Sequence, residues 1–405
     1  MIDVVAEIRR ANAGRDAERL ALKYRAMRAD PFAFLRGSCA LFYRRLPRGG
    51  VLKSVPLVLV CGDLHLENFG SYRADNGLSY FDINDFDESA LAPASWDLVR
   101  MLASVLVGGA SLGFDATHAN RLSEIFVTAY ANALATGKAY WVERDTTTGV
   151  VRDLLDAVAQ RKRAEFLEER TVTHGDKRVL RTDGDKALPA DKRERAAVKA
   201  FMREFAAAQP EPAFYRMLDV ARRVAGTGSL GVERYVVLVR GKGSPDGNHL
   251  LDLKIASRSA LLATLKTTQP RWKTQADRIA GVQQRMQAVP VAFLEPVLLG
   301  GKPFVLRALQ PAQDRIDLRR ADATQLERLV GTMGQIVAWA QLRSAGRDGS
   351  ATADELIRFG QRKKWRAALL QAARDCAAQV ARDAAVFNAA FDDGAFTVPR
   401  LARRR

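Results

Sequence analysis

The first clear block of apolar positions in this chain is Pro56-Leu57-Val58-Leu59-Val60-Cys61, a short continuous run that Gly62 breaks. A run of that length ended by a glycine predicts a buried strand that delivers the next polar residues, Asp63 and His65, to a loop at a cleft. A second strand follows over residues 69–72, Arg73-Ala74-Asp75-Asn76-Gly77 supplies the turn, and residues 78–83 return antiparallel. An apolar helix is expected over residues 98–112. Further along, residues 235–239 and 250–256 read as strands and residues 275–287 as a helix. Residues 291–299 and 303–309 read as two antiparallel strands about Gly300-Gly301. Residues 323–343 form a long helical pattern. Residues 353–391 repeat it, with Trp365, Leu369, Leu370, Ala373 and Val380 on the apolar face.

Polar residues cluster between these elements. Gly62-Asp63-Leu64-His65-Leu66-Glu67-Asn68, Phe81-Asp82-Ile83-Asn84-Asp85-Phe86-Asp87 and Trp96-Asp97-Leu98 each set carboxylates among apolar neighbours. Buried there, they demand a cation or donors, although Asp, Asn and Gly also serve in solvated turns. The expected hairpin returns Asp82 and Asp85 beside Asn68. Two carboxylates and an amide oxygen make a hard oxygen site suited to Mg²⁺, which shares its shell with substrate phosphates. Asp97, opening the apolar helix, reads as an N-terminal cap or loop brace. A two-metal phosphatase reading of Gly62-Asp63-Leu64-His65 is disfavoured, because the chain has four His and none in an Asn-His-Asp context.

The run from Gly62 to Asn68 resembles the catalytic loop of aminoglycoside phosphotransferases and choline kinases, in the protein-kinase-like superfamily. Lys23-Tyr24-Arg25-Ala26-Met27, the stretch Asp30-Pro31-Phe32-Ala33-Phe34-Leu35-Arg36-Gly37 and Phe81 to Glu88 look more closely like the bacterial family of domain of unknown function 2252. The resemblance spans most of the chain. It implies that Asp63 orients or deprotonates an acceptor hydroxyl and that Asn68 is a metal ligand. His65 falls where such kinases place a Lys or His near the transferred phosphate; a loop-stabilising hydrogen bond is the alternative. Cys61 stands where the family loop usually opens with His. For the second metal ligand, Asp82 fits the count forward from Asn68 and Asp85 the count back from Asp97, so both are carried.

A phosphate clamp is expected downstream. Gly226-Thr227-Gly228-Ser229-Leu230-Gly231 precedes the strand at residues 235–239, and the returning strand Leu250 to Ala256 carries Lys254. Because this glycine pattern opens a β-hairpin rather than a helix, it matches a kinase Gly-rich loop better than a dinucleotide site. Gly226, Gly228, Ser229, Gly231 and Lys254 are the expected nucleotide-binding set. The order is reversed from ordinary kinases, since the catalytic loop precedes the Gly-rich loop. A circular permutation follows, with the helix at residues 275–287 in the place of αC, Gln310-Pro311 as the hinge, and the helix at residues 323–343 leading into the catalytic loop. No Glu lies between Lys254 and Glu295, which leaves Asp277, Gln283, Gln284 or Glu295 to partner Lys254, or a Lys that is held differently.

Composition sets the remaining bounds. At 405 residues and 48% hydrophobic, the chain can bury a substantial core. Neither a signal peptide nor a membrane span is expected, and three scattered Cys fit a reducing cytoplasm. The net charge of +17 suits ATP or an acidic substrate. Nucleic acid is a minority reading, because the basic runs Arg161-Lys162-Arg163, Lys192-Arg193 and Arg403-Arg404-Arg405 lack interleaved aromatics. The highly charged stretch 143–210, with a hairpin-like segment from Arg178 to Asp185, reads as a solvated linker ahead of an acceptor-lining element.

The expectation is therefore an α+β, two-lobed kinase-like fold. Residues 1–215 hold the catalytic loop and metal hairpin, residues 216–312 a β-rich nucleotide lobe, and residues 313–405 a helical return. Its function would be ATP- and Mg²⁺-dependent phosphotransfer to an unidentified small-molecule or protein hydroxyl. A nucleotide-binding scaffold and an AMP-transferring enzyme are the alternatives.

Overall fold

Helix Ser95–Leu112 is apolar on nearly every side and is accordingly buried all round. Helix Ala116–Thr136 begins where the Asp115 carboxylate accepts the His118 N–H, and it ends at Gly137, whose φ is +66°. Helix Ala323–Arg343, opened by a reciprocal Asp322–Gln325 cap, lies tightly against it. A Cβ on Gly334 would stand 2.5 Å from the Phe126 carbonyl oxygen, so this crossing needs glycine. The C-terminal periodic stretch divides into Ala353–Gln361 and Lys364–Asp392, and the second piece packs on Ser95–Leu112.

The computed structural model describes residues 2–175, 177–184 and 186–397. The Arg403–Arg405 run and Asp185 lie outside the described residues. Helix and strand make up 48% and 17%, an α+β composition. Among the described residues, no helix is long and apolar enough to cross a membrane.

Strands β1 (Leu57–Val60), β2 (Phe69–Arg73), β3 (Ser79–Ile83) and β4 (Ala90–Pro93) lie within the helical part. The first three fall where the apolar pattern places them, and β4, which pairs antiparallel with β1, was not expected. β2 and β3 form the expected hairpin, with Phe69 opposite Ile83. A second pair, β5 (Thr171–His174) and β6 (Lys177–Leu180), lies in the charged stretch. Then come β7 (Ala187–Pro189), β8 (Met217–Arg223), β9 (Arg234–Val239), β10 (His249–Ile255), β11 (Glu295–Leu299) and β12 (Lys302–Leu309). These last form one six-stranded sheet, ordered β11-β12-β10-β9-β8-β7. Helix Gln275–Met286 connects β10 to β11.

The structure corrects three readings. The glycine-rich segment joins β8 to β9, a step earlier than the β9–β10 hairpin, because residues 217–223 are themselves a strand. The charged stretch is no solvated linker: Leu167, Leu180 and Ala187 pack with Ala221, Val236, Leu238 and Leu250 on one face of the sheet. Helix Lys192–Ala207 covers the other face through Val198, Met202 and Ala206. The β-rich body therefore begins upstream of residue 215, since β7 supplies its edge strand. High charge hid this, because the apolar positions are few and the basic side chains project outward.

Asp252 on β10 holds the sheet's polar centre. Its buried carboxylate receives Arg234 at 2.6 and 2.8 Å, Arg223 at 2.7 Å and Arg307 at 3.3 Å. These guanidiniums hold its pKa well below the usual range against a large desolvation cost. Removing the charge would leave one buried and two partly buried cations without their shared anion. Asp252→Asn is therefore expected to lose about 3–5 kcal/mol in urea unfolding.

Candidate active site

β1 ends at Val60, and the turn after it is built so that Asp63 faces a cleft. Gly62 has φ +85°, and a Cβ there would stand 2.0 Å from the Glu88 carbonyl oxygen. No other residue fits that turn. The buried Asp97 carboxylate accepts the Cys61 and Gly62 N–H groups, each at 2.9 Å, and Tyr43 donates its hydroxyl to the Gly62 carbonyl at 2.6 Å. Asp97 is thus the loop brace. Burial pushes its pKa up to about 6, while the two backbone N–H bonds oppose that rise.

Asp63 itself pairs with Arg100, whose Nε donates to Oδ1 at 2.7 Å. Its other oxygen faces the glycine-rich loop, about where a Cβ on Gly228 would come within 4.0 Å. Burial raises the Asp63 pKa and Arg100 opposes the rise. His65 is buried against Phe32 and accepts the Glu67 N–H at 3.1 Å through Nδ1, the loop-stabilising bond. Burial, with Arg36, Arg100 and Arg315 nearby, keeps this imidazole neutral.

Asn68 is 2% exposed and its amide is fixed by two carbonyls: Nδ2 donates to Asp63 O at 3.0 Å and Asp85 O at 3.2 Å. That orientation leaves Oδ1 buried without a hydrogen-bond partner. An orphaned amide oxygen beside Asp85 fits a hard cation. Asp85 lines the cleft, with its pKa lowered by Lys254, Arg307 and Arg234 against burial. Asp82 does not reach the cleft. It lies within β3, where its Oδ2 accepts the Ala288 N–H at 3.1 Å and Arg343 at 3.3 Å, tying the hairpin to the helices behind it. The three residues from Asp82 to Asp85 carry the chain past the strand end, which separates the two carboxylates. Among the described residues no three His, Cys, Asp or Glu side chains converge as a metal cluster.

Gly228, Ser229, Gly231 and Lys254 line the same cleft of about 930 Å³ as Asp63, Asp85, Asp87 and Glu88. Gly226 lies just outside that lining, at the loop's entry, with φ +72°. Lys254 is ion-paired to Asp87. None of the four side chains named from the sequence takes that position, so the Lys is held differently, the remaining alternative. Helix Gln275–Met286 enters the site through Arg278, which donates to the carbonyls of Asp87, Ser89 and Ser257 at 2.8, 2.6 and 2.9 Å. Arg100, Arg278 and Asp87 were missed because each acts across a fold contact. The available signal was a basic residue on an apolar helix face, seen at Arg100 between Val99 and Met101 and at Arg278 beside Ile279.

These features define an α+β protein with an acidic and basic cleft between a helical body and a six-stranded sheet. The chain belongs to the bacterial family of domain of unknown function 2252, described as an uncharacterized protein conserved in bacteria, which it matches over residues 15–390. No curated protein and no solved structure matches it.

Glu88 gives the cleft a pH signature. Burial lifts its pKa from 4.5 to about 7, with the Ala260 N–H opposing the rise and Asp63 and Asp87 adding to it. A carboxyl whose folded pKa is raised stabilises the fold below its unfolded pKa and loses that contribution as pH rises through the folded value. Relative to Glu88→Gln, the wild type should lose up to about 3 kcal/mol of unfolding free energy between roughly pH 4.5 and 7, measured by chemical denaturation across pH. Parallel curves for the two proteins would contradict this.

Proposed function

We propose that this chain is an ATP- and Mg²⁺-dependent phosphotransferase of protein-kinase-like, circularly permuted architecture. The observation that carries the reading is the shared cleft: Asp63, Asp85, Lys254 and the Gly228-Ser229 turn come from distant parts of the chain and face one cavity. The sheet supports it, since three consecutive strands (β8, β9, β10) carry a glycine-rich turn and then a lysine, followed by a helix and the pair β11–β12. A contact behind the site supports the permutation. Just beyond helix Ala323–Arg343, the Ala351 N–H donates to the Leu57 carbonyl at 2.8 Å, so that helix ends beside the strand entering the Asp63 loop.

In this mechanism Lys254 and the glycine-rich backbone hold the nucleotide phosphates. Asn68 Oδ1 and Asp85 would hold Mg²⁺, which when bound supplies charge neutralisation at the phosphates. Asp63 Oδ2 orients the acceptor hydroxyl and takes its proton, while Arg100 keeps the carboxylate in place. Asp87 holds Lys254 until phosphate oxygens compete for the ammonium. The Asp63–Arg100 pair and the lack of a helix carboxylate on Lys254 favour one second reading, a nucleotide-binding scaffold without transfer.

The two readings separate by turnover. Asp63→Asn is expected to keep MgATP-induced thermal stabilisation while lowering ATP-dependent product formation by about 10²- to 10⁴-fold. Intact mass of the products distinguishes transferred phosphate from transferred AMP. Full turnover in the variant would remove Asp63 from the chemistry.

A further inference from the structure

The motif from Lys23 to Gly37, which carries the family resemblance, has no part in the phosphotransfer mechanism above. The structure nevertheless places Lys23 and Arg36 in the wall of the same cleft, together with Arg15. Lys23 is 2% exposed, and a buried ammonium is ordinarily matched by a carboxylate. Among the described residues its Nζ donates only to Asn12 Oδ1 at 2.8 Å and the Gly228 carbonyl at 3.3 Å, both neutral. Arg15 likewise spends Nη1 on the carbonyls of Gly228 and Leu230, at 2.7 and 2.9 Å. Among the described residues neither cation has an ion-pair partner. Arg36 shares Glu67 with Arg315, and its Nε is buried without a partner.

Arg15 and Lys23 lie under the glycine-rich loop, and the carboxylates of Glu88 and Asp63 act on them across the cleft without ion-pairing to either. Burial together with the neighbouring Arg15 holds the Lys23 pKa well below that of a free lysine, although Asp63 and Glu88 oppose the drop, and a bound anion would relieve that cost further.

We propose that Arg15 and Lys23, with Arg36 beside them, form an oxyanion subsite that recognises a phosphate or carboxylate group on the acceptor, whose hydroxyl then lies at Asp63. The substrate class is an anionic alcohol. This assignment rests on the phosphotransfer reading for its acceptor role, whereas the anion site itself is testable without it. A phosphate group would use the Lys23 ammonium proton left over from Asn12 and Gly228 and the free Nη2 edge of Arg15.

The test is titration calorimetry of the full chain with inorganic phosphate, and separately with acetate, alone and with saturating Mg²⁺ and a non-hydrolysable ATP analogue. Wild type is expected to bind one or both anions. Lys23→Met and Arg15→Gln should each weaken binding by about tenfold or more, and Lys23→Arg, which keeps the charge in a tightly packed site, should lose less than Lys23→Met. The preferred anion identifies phosphate or carboxylate as the group taken. Binding that persists with the analogue bound places the subsite apart from the nucleotide, as proposed. Complete competition by the analogue would assign these cations to the nucleotide's own phosphates and overturn the acceptor role. Equal affinity in all variants, or no heat from either anion with wild type, would overturn the subsite. Failure of the analogue to bind, with anion binding intact and sensitive to Lys23, would instead refute the phosphotransfer reading.

Discussion

The ion pair between Lys254 and Asp87 joins the two halves of this molecule at the point where its chemistry would occur. Lys254 is fixed by β10 at the centre of the sheet, and Asp87 lies at the end of the segment that leaves the β2–β3 hairpin of the helical body. Everything else in the cleft is arranged about that bridge. Arg278 grips the carbonyls at residues 87 and 89, and the Glu88 side chain and carbonyl accept from Ala260 and Ser259 on the sheet side. The helical body therefore cannot move against the sheet without disturbing several buried polar bonds at once.

Behind the bridge stand two rigid supports of different kinds. On the helical side the turn at Gly62 is set by sterics, because only hydrogen fits against the Glu88 carbonyl, and by the Asp97 carboxylate beneath it. On the sheet side the support is electrostatic, with one buried aspartate collecting three arginines. Against burial, Lys254 first, and then Arg307 and Arg234 of that cluster, lower the Asp85 pKa.

Much of this was legible in the sequence wherever a local rule operates. A strand ended by glycine located Asp63, the spacing to Asn68 located the amide, and the turn at residues 73–77 predicted the hairpin. Lys254 was found by its place among apolar strand neighbours. Contacts that depend on distant elements were not legible. Which of Asp82 and Asp85 faces the cleft turned on where β3 ends, and the partner of Lys254, Asp87, lies 167 residues earlier in the chain rather than on the adjacent helix. The charged stretch 143–210 misled for a related reason, since a few inward apolar residues such as Leu167 and Leu180 suffice to dock it.

The proposed function requires that the cleft bind a nucleotide through a cation held by Asn68 and Asp85. Titration calorimetry of ATP against wild type and Asp85→Ala, each with and without Mg²⁺, measures it most directly. Wild-type binding is expected to strengthen by about tenfold or more with Mg²⁺, and the variant to lose that Mg²⁺ dependence. ATP affinity that is indifferent to Mg²⁺ in both proteins, or absent altogether, would contradict it.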